Sequence, residues 1–198
     1  MSGPTAWLRG ASLAGLFALC AGCAHTIVIG PDMSRLPVET PPVSSGAAAY
    51  YISSENRERP VTSGGGGGDS VKYTPYKDLE PALFRVLSNH FAQVYALKSP
   101  QDRAFMQERN VRFVFTPQYS TTSSSSSLLT WPPTEFTLTI HVEAVDQDQK
   151  SVWQADVTGS GQATFAEFKR DFALAAERAS EQAFRNLGAK LAEFPGAK

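Results

Sequence analysis

Residues 136 to 163 constrain the fold more than any other stretch of the chain. Phe136, Leu138, Ile140, Val142 and Ala144 alternate with Thr137, Thr139, His141 and Glu143. A period of two puts one apolar and one polar face on a single strand. Gln147-Asp148-Gln149-Lys150 is a polar turn, and Val152 to Ala163 returns with Trp153, Ala155 and Val157 on the inward side. Two such runs joined by a short turn read as a β-hairpin. Its apolar face must then be buried against another layer.

Two candidate helices supply that layer. Tyr76 to Leu97 carries Leu79, Leu83, Leu87, Phe91, Val94 and Tyr95 at helical spacing, and Phe84 widens the stripe. Asp78 is placed to cap it, and Pro81 is tolerated in its first turn. Glu167 to Phe194 repeats the pattern with Phe168, Phe172, Ala176, Ala179, Ala183, Leu187 and Leu191. Its many alanines imply close approach to the sheet, and Pro195-Gly196 ends it. Val111 to about Thr122 reads as a strand, with Val111, Phe113 and Phe115 alternating with Arg112, Val114 and Thr116. Pro117 marks a kink or an edge in it. Gly46 to Ser53 is a first strand, and Val71 to Tyr73 is a candidate to pair with it. The order strand, helix, three strands, helix predicts an α+β fold over residues 47–198. We expect a two-layer sandwich, a mainly antiparallel sheet with two long helices on one face.

A Gly-rich loop, 54–70, interrupts this domain. Gly64 to Gly68 suggest a phosphate loop, but Asp69-Ser70-Val71-Lys72 lacks the G-x-x-x-x-G-K-[ST] spacing. With 18 basic and 19 acidic side chains the net charge is -1, so no nucleic-acid partner is expected. No apolar run reaches the 18 or so residues of a membrane-spanning helix. The longest, Gly10 to Gly22, is shorter and lies near the N-terminus.

The N-terminus around that run has three parts. Met1 to Arg9 carries one positive charge, Ala11 to Leu19 is apolar, and Cys20-Ala21-Gly22-Cys23 follows. This is signal-peptide order. A helix packed on the domain is the alternative, although Gly10, Gly15 and Gly22 weaken it. The stretch Leu19 to Cys23 resembles the lipobox of bacterial lipoproteins. Ala21, Gly22 and Cys23 match; Cys20 stands where Leu is commonest, with Leu19 one step earlier. The resemblance implies a signal peptide over 1–22 and cleavage before Cys23. It also implies a diacylglyceryl thioether and an acylated α-amine on Cys23. Ala24, rather than Asp, leans toward the outer membrane. Residues 23–46 then read as the lipidated Cys and a Pro-rich tether through Pro31, Pro37, Pro41 and Pro42, in which Ile27-Val28-Ile29 could still pack on the domain. The element order is similar to that of the lipopolysaccharide-assembly and transporter-auxiliary lipoproteins, a likeness of topology.

No catalytic signature occurs. The histidines His25, His90 and His141 are scattered, and His90 reads as a solvated or capping side chain. Neither a metal site nor a cofactor is expected. Six hydroxyls from Thr122 to Ser127 lead into Leu128, Leu129 and Trp131 before Pro132-Pro133. These three apolar residues are a candidate partner-contact tip, unless Trp131 folds back over the core. The expected function is a membrane-anchored envelope lipoprotein acting as a non-enzymatic binding or assembly accessory. Its partners would be the lipid bilayer, through acylated Cys23, and an envelope protein. The alternative is an envelope hydrolase or small-ligand-binding protein with a pocket around the glycine loop.

Overall fold

The structure is a computed structural model in which residues 24–39, 41–64, 70–125 and 134–197 are described. In chain order the elements are β1 (Ala24–Thr26), β2 (Ser44–Tyr51), α1 (Ser54–Glu58), β3 (Val61–Gly64), β4 (Ser70–Tyr73), α2 (Pro75–His90) and β5 (Phe91–Leu97). Then come α3 (Arg103–Glu108), β6 (Val111–Ser124), β7 (Glu135–Val145), β8 (Ser151–Gln162), α4 (Phe165–Phe168) and α5 (Leu174–Leu191). A 3-10 turn, Pro195–Ala197, follows.

The hairpin is β7 and β8, in register from Glu135 opposite Gln162 to Ala144 opposite Trp153. Asp146 makes its turn: one carboxylate oxygen accepts from the amides of Asp148 (2.9 Å) and Lys150 (3.0 Å). Gln149 takes the left-handed conformation there, at φ 63°. Phe136, Leu138, Ile140, Val142 and Ala144 are all buried, as the alternation requires.

The main sheet has the order β5-β2-β6-β7-β8. The α+β class holds, with a mixed sheet: β2 runs parallel to both β5 and β6, while β6, β7 and β8 are antiparallel. Parallel neighbours need long crossovers. The chain from β2 to β5 passes through α2, and the chain from β5 to β6 passes through α3. Pro117 lies beyond Phe115, where pairing with β2 ends and only β7 remains as neighbour. There its missing N–H breaks no ladder to β2. A second sheet, β1-β4-β3, has β1 parallel and β3 antiparallel to β4. The glycine-rich stretch 54–70 is therefore partly α1 and β3, with its strand pairing to β4; Val71 to Tyr73 pairs with β1 and β3, not β2.

Both long helices cover one face of the main sheet, sharing a core with Ala48, Phe115, Leu138 and Ile140. Met106 of α3 packs with Ala47, Ala49, Val111 and Val114 on the other face. The first helix ends at His90, seven residues short of expectation, and Phe91 to Leu97 is the edge strand β5. Phe84 is 45% exposed and does not widen the buried stripe. The second helix is broken: α4 ends at Phe168 and α5 begins at Leu174. Asp171 accepts from the Ala173 amide (2.9 Å) and so starts the second segment.

The expected tether over 23–46 is instead seated on the domain over residues 24–39, and its last residues, from Ser44, already belong to β2. Ile27, Ile29 and Leu36 are buried. Asp78 of α2 accepts from the Ile29 amide (3.4 Å), and Ser180 of α5 donates to the Ile29 carbonyl (2.6 Å). Farther along, Asn89 donates to Pro37 O (2.8 Å) and accepts from the Glu39 amide (3.2 Å). The segment straps the seam between α2 and α5, because its apolar side chains outweigh the prolines as a determinant of where it lies.

Candidate functional site

Cys23 and the tip residues Leu128, Leu129 and Trp131 lie outside the described residues. Their neighbours in the chain are described, and the fold brings those neighbours to one end of the domain. Ala24, next to Cys23, opens β1 and pairs with Ser70. His25 stacks on Phe172, ring centroids 4.6 Å apart and planes at 21°. Phe172 meets Phe168 edge-on at 5.0 Å. At the base of α4, the Ala163 amide donates to Thr134 O (2.8 Å), and Thr134 borders the segment that carries Trp131. Ser124, on the other side of that segment, is paired with Glu135.

Local sequence explains why α4 stands there. Thr164 and Glu167 form a reciprocal capping box: the Glu167 amide donates to Thr164 Oγ1 (3.3 Å), and Glu167 accepts from the Thr164 amide (2.9 Å). Arg178 of α5 donates to the same carboxylate (2.9 Å). The Arg178 guanidinium, with the two Thr164 donors, holds the Glu167 carboxyl down at about 2. Phe165 at the head of this turn is 54% exposed and Phe172 is 36% exposed. Lys169 Nζ lies 4.8 Å from the Phe165 ring centroid. Helical spacing alone merges Phe168 and Phe172 into one continuous stripe and leaves Phe165 unremarked. The T-x-x-E capping signature at 164–167 is the sequence signal that a separate turn begins here.

The opposite end holds a pocket of about 270 Å³ between the C-terminal halves of α2 and α5, roofed by Pro37 and Val43. Val86, Phe184 and Leu191 make it largely apolar, and Asn89, His90, Glu39 and Arg185 add polar groups. His90 is 3% exposed, contrary to the solvated role expected of it. Its Nε2 has no hydrogen-bond partner, and burial pushes its imidazole pKa down. The third histidine, His141, faces outward from β7 and contacts Asp156 at 2.9 Å. Among the described residues no group of three or more His, Cys, Asp or Glu side chains is placed to hold a metal ion.

The partly buried carboxylate of Glu80 is accounted for by architecture. Glu80 accepts from Tyr50 (2.9 Å) and twice from Arg57 (2.9 and 2.7 Å), tying α1 and β2 to α2. Those donors lower the Glu80 pKa against the opposing effect of burial.

No family model matches the chain, and no curated protein matches it. Among solved structures, protein XCC0632 from Xanthomonas campestris, of family DUF330, is similar at 12% identity and a TM-score of 0.45, over 85% of this chain and 89% of that one. The PelC dodecamer from Paraburkholderia phytofirmans is similar at 14% identity and a TM-score of 0.39, over 72% of this chain and 89% of that one. A candidate lipoprotein from Caulobacter crescentus is similar at 12% identity and 0.37, over 73% and 88%. At such identities and scores these likenesses carry no functional argument, and function is read from the chain's own residues.

Proposed function

We propose that this chain is an envelope lipoprotein, held on a membrane by acyl chains on Cys23, whose folded body serves as a non-enzymatic binding or assembly accessory. One observation supports the reading: Ala24–Thr26, directly after the lipobox-like cysteine, pairs with β4, and Ile27 and Ile29 are buried in the domain. An anchor at Cys23 would therefore be joined directly to the folded body. Among the described residues no helix is long and apolar enough to cross a membrane. Attachment through acyl chains is the route that the sequence offers, and two or more chains make it stable at about 0.8 kcal/mol per buried methylene. Ala24 after the cysteine favours the outer membrane.

Cys23→Ser is expected to abolish incorporation of a fatty-acid probe and to leave an uncut or soluble precursor. Mass spectrometry of the mature N-terminus reads the same event directly. An unchanged probe signal in the variant would defeat the assignment.

The second reading is small-ligand binding, and the observation that favours it is the largely apolar α2–α5 pocket of about 270 Å³, which Asn89, His90 and Arg185 help to line. This pocket is at the far end from α4 and is not lined by residues of the 54–70 stretch, around which the sequence suggests one.

A further inference from the structure

We infer that the α4 end of the domain, through Phe165 and Phe172, is a second membrane contact that rests in the interface of the bilayer to which Cys23 is anchored. The inference rests on acylation at Cys23 and adds what that reading leaves open, namely how the domain is oriented. A residue of extended chain spans at most about 3.6 Å, so two residues place Cys23 within roughly 7 Å of His25, whose ring lies flat on Phe172. Acyl chains entering a bilayer at Cys23 therefore bring the Phe172 ring to the membrane surface. No tether intervenes, because β1 is already paired with β4 at Ala24.

The face that arrives there suits an interface. Single exposed apolar side chains are ordinary, but Phe165 opens α4 and Phe172 follows four residues after its end, and the two rings are 54% and 36% exposed. Aromatic rings favour the headgroup boundary. Lys169, placed over the Phe165 ring, has the long stem that lets an ammonium reach water while its methylenes stay with the rings. Glu167 and Asp171 offset Lys169 and Arg170, so the contact is apolar rather than electrostatic. Once Cys23 is inserted the second contact is intramolecular, and even a weak one is occupied.

The test uses the fact that the chain has only two cysteines, Cys20 and Cys23. The first leaves with the signal peptide and the second is capped by lipid, so an added cysteine is the single reactive thiol. Phe165→Cys, Phe172→Cys and Lys190→Cys forms of the full-length protein, processed and acylated in cells, are spin-labelled in phosphatidylethanolamine–phosphatidylglycerol vesicles. Collision with oxygen, which partitions into the bilayer, is compared with collision with a water-soluble nickel chelate. Labels at 165 and 172 are expected to favour oxygen at least several-fold over the label at 190, at low and high salt alike. Labels at 165 and 172 as open to nickel as the one at 190 overturn the proposal. Shielding from both reagents also overturns it, in favour of a second copy covering the face. Mass and sedimentation of the same samples separate the two readings. An unacylated chain left in the supernatant removes both, whereas an acylated, vesicle-bound chain with water-exposed labels removes only this one.

Discussion

Gly159 and Gly161 set the distance between α5 and the sheet. A Cβ at Gly159 would fall 2.1 Å from Ala179 O, and one at Gly161 would fall 2.0 Å from Ala175 O. The helix answers with Ala175, Ala179 and Ala183, every fourth residue, all buried. Backbone sits on backbone, so neither side can yield by turning a side chain. Gly159→Ala is expected to cost about 3 kcal/mol as the helix is lifted from β8, measured as a fall in the urea midpoint at constant slope. The alanine half of this contact was legible in the sequence. The glycine half was not, because G-x-G in a strand reads equally as a weak or bulged strand. A different residue-scale effect lies at His90. Its imidazole is buried and its pKa pushed down, so the unfolded chain takes up the proton first. Its contribution to stability is therefore present above the ordinary imidazole range and is lost as pH falls through that range toward the depressed value. Comparing urea midpoints at pH 7.5 and 5 should show a loss in the wild type that His90→Leu reduces. Glu167, held at about 2, stays ionised throughout that window and does not contribute. An equal loss in both proteins would refute the assignment to His90.

Among the elements, the hairpin was legible because turn, alternation and length agree, and its register follows from the short turn that Asp146 stabilises. The junction of α2 with β5 was not. Leu87, Phe91, Val94 and Tyr95 satisfy a helical spacing, and no Gly or Pro occurs from Ala82 to Leu97. What decides is tertiary: Phe91 lies 5.5 Å from Phe115 and 5.8 Å from Phe194, in an aromatic cluster that Trp153 completes. Phe194 is the hub of that cluster, with ring contacts to His90, Phe91, Phe113, Phe115 and Trp153. Phe194→Ala should cost roughly 3–5 kcal/mol, and thermal unfolding followed by near-UV circular dichroism reads it, since the probe is the cluster itself. The strap over residues 24–39 was hidden for another reason. Its prolines signal the absence of regular structure, and a chain without regular structure can still be packed. Ile27 and Ile29 were the visible clue. The buried bond from Ser180 to Ile29 O holds the strap at mid-length. Ser180→Ala leaves that carbonyl without its partner, at about 1–3 kcal/mol.

For the molecule as a whole, the sequence suggests an anchor and a tip about a hundred residues apart, and only the fold shows that their described neighbours lie at one end of the body. Neither Cys23 nor Trp131 is needed to see this, because Ala24, Thr134 and Ser124 mark the exits. α5 runs from that end toward the Phe194 cluster, and its 18 residues span about 27 Å at 1.5 Å each. A domain fixed at Cys23 and resting on Phe165 and Phe172 would keep the His90 pocket at the end remote from the bilayer, facing the aqueous compartment. Two contacts fix an orientation that one anchor cannot, and the consequence is measurable. In the acylated protein, energy transfer from a fluorophore at Lys190→Cys to headgroup acceptors should report one narrow distance. Inserting ten Gly and Ser residues between Cys23 and Ala24 adds a coil of roughly 17 Å end to end, which lowers the effective concentration of the second contact without removing it. The distance should then stay narrow, because Phe165 and Phe172 still hold the domain down. Adding Phe165→Ser and Phe172→Ser to the insertion should broaden it, as the domain swings on a flexible tether. If the insertion alone broadens the distribution fully, the acyl anchor and the folded strap were setting the orientation without help from the aromatic face.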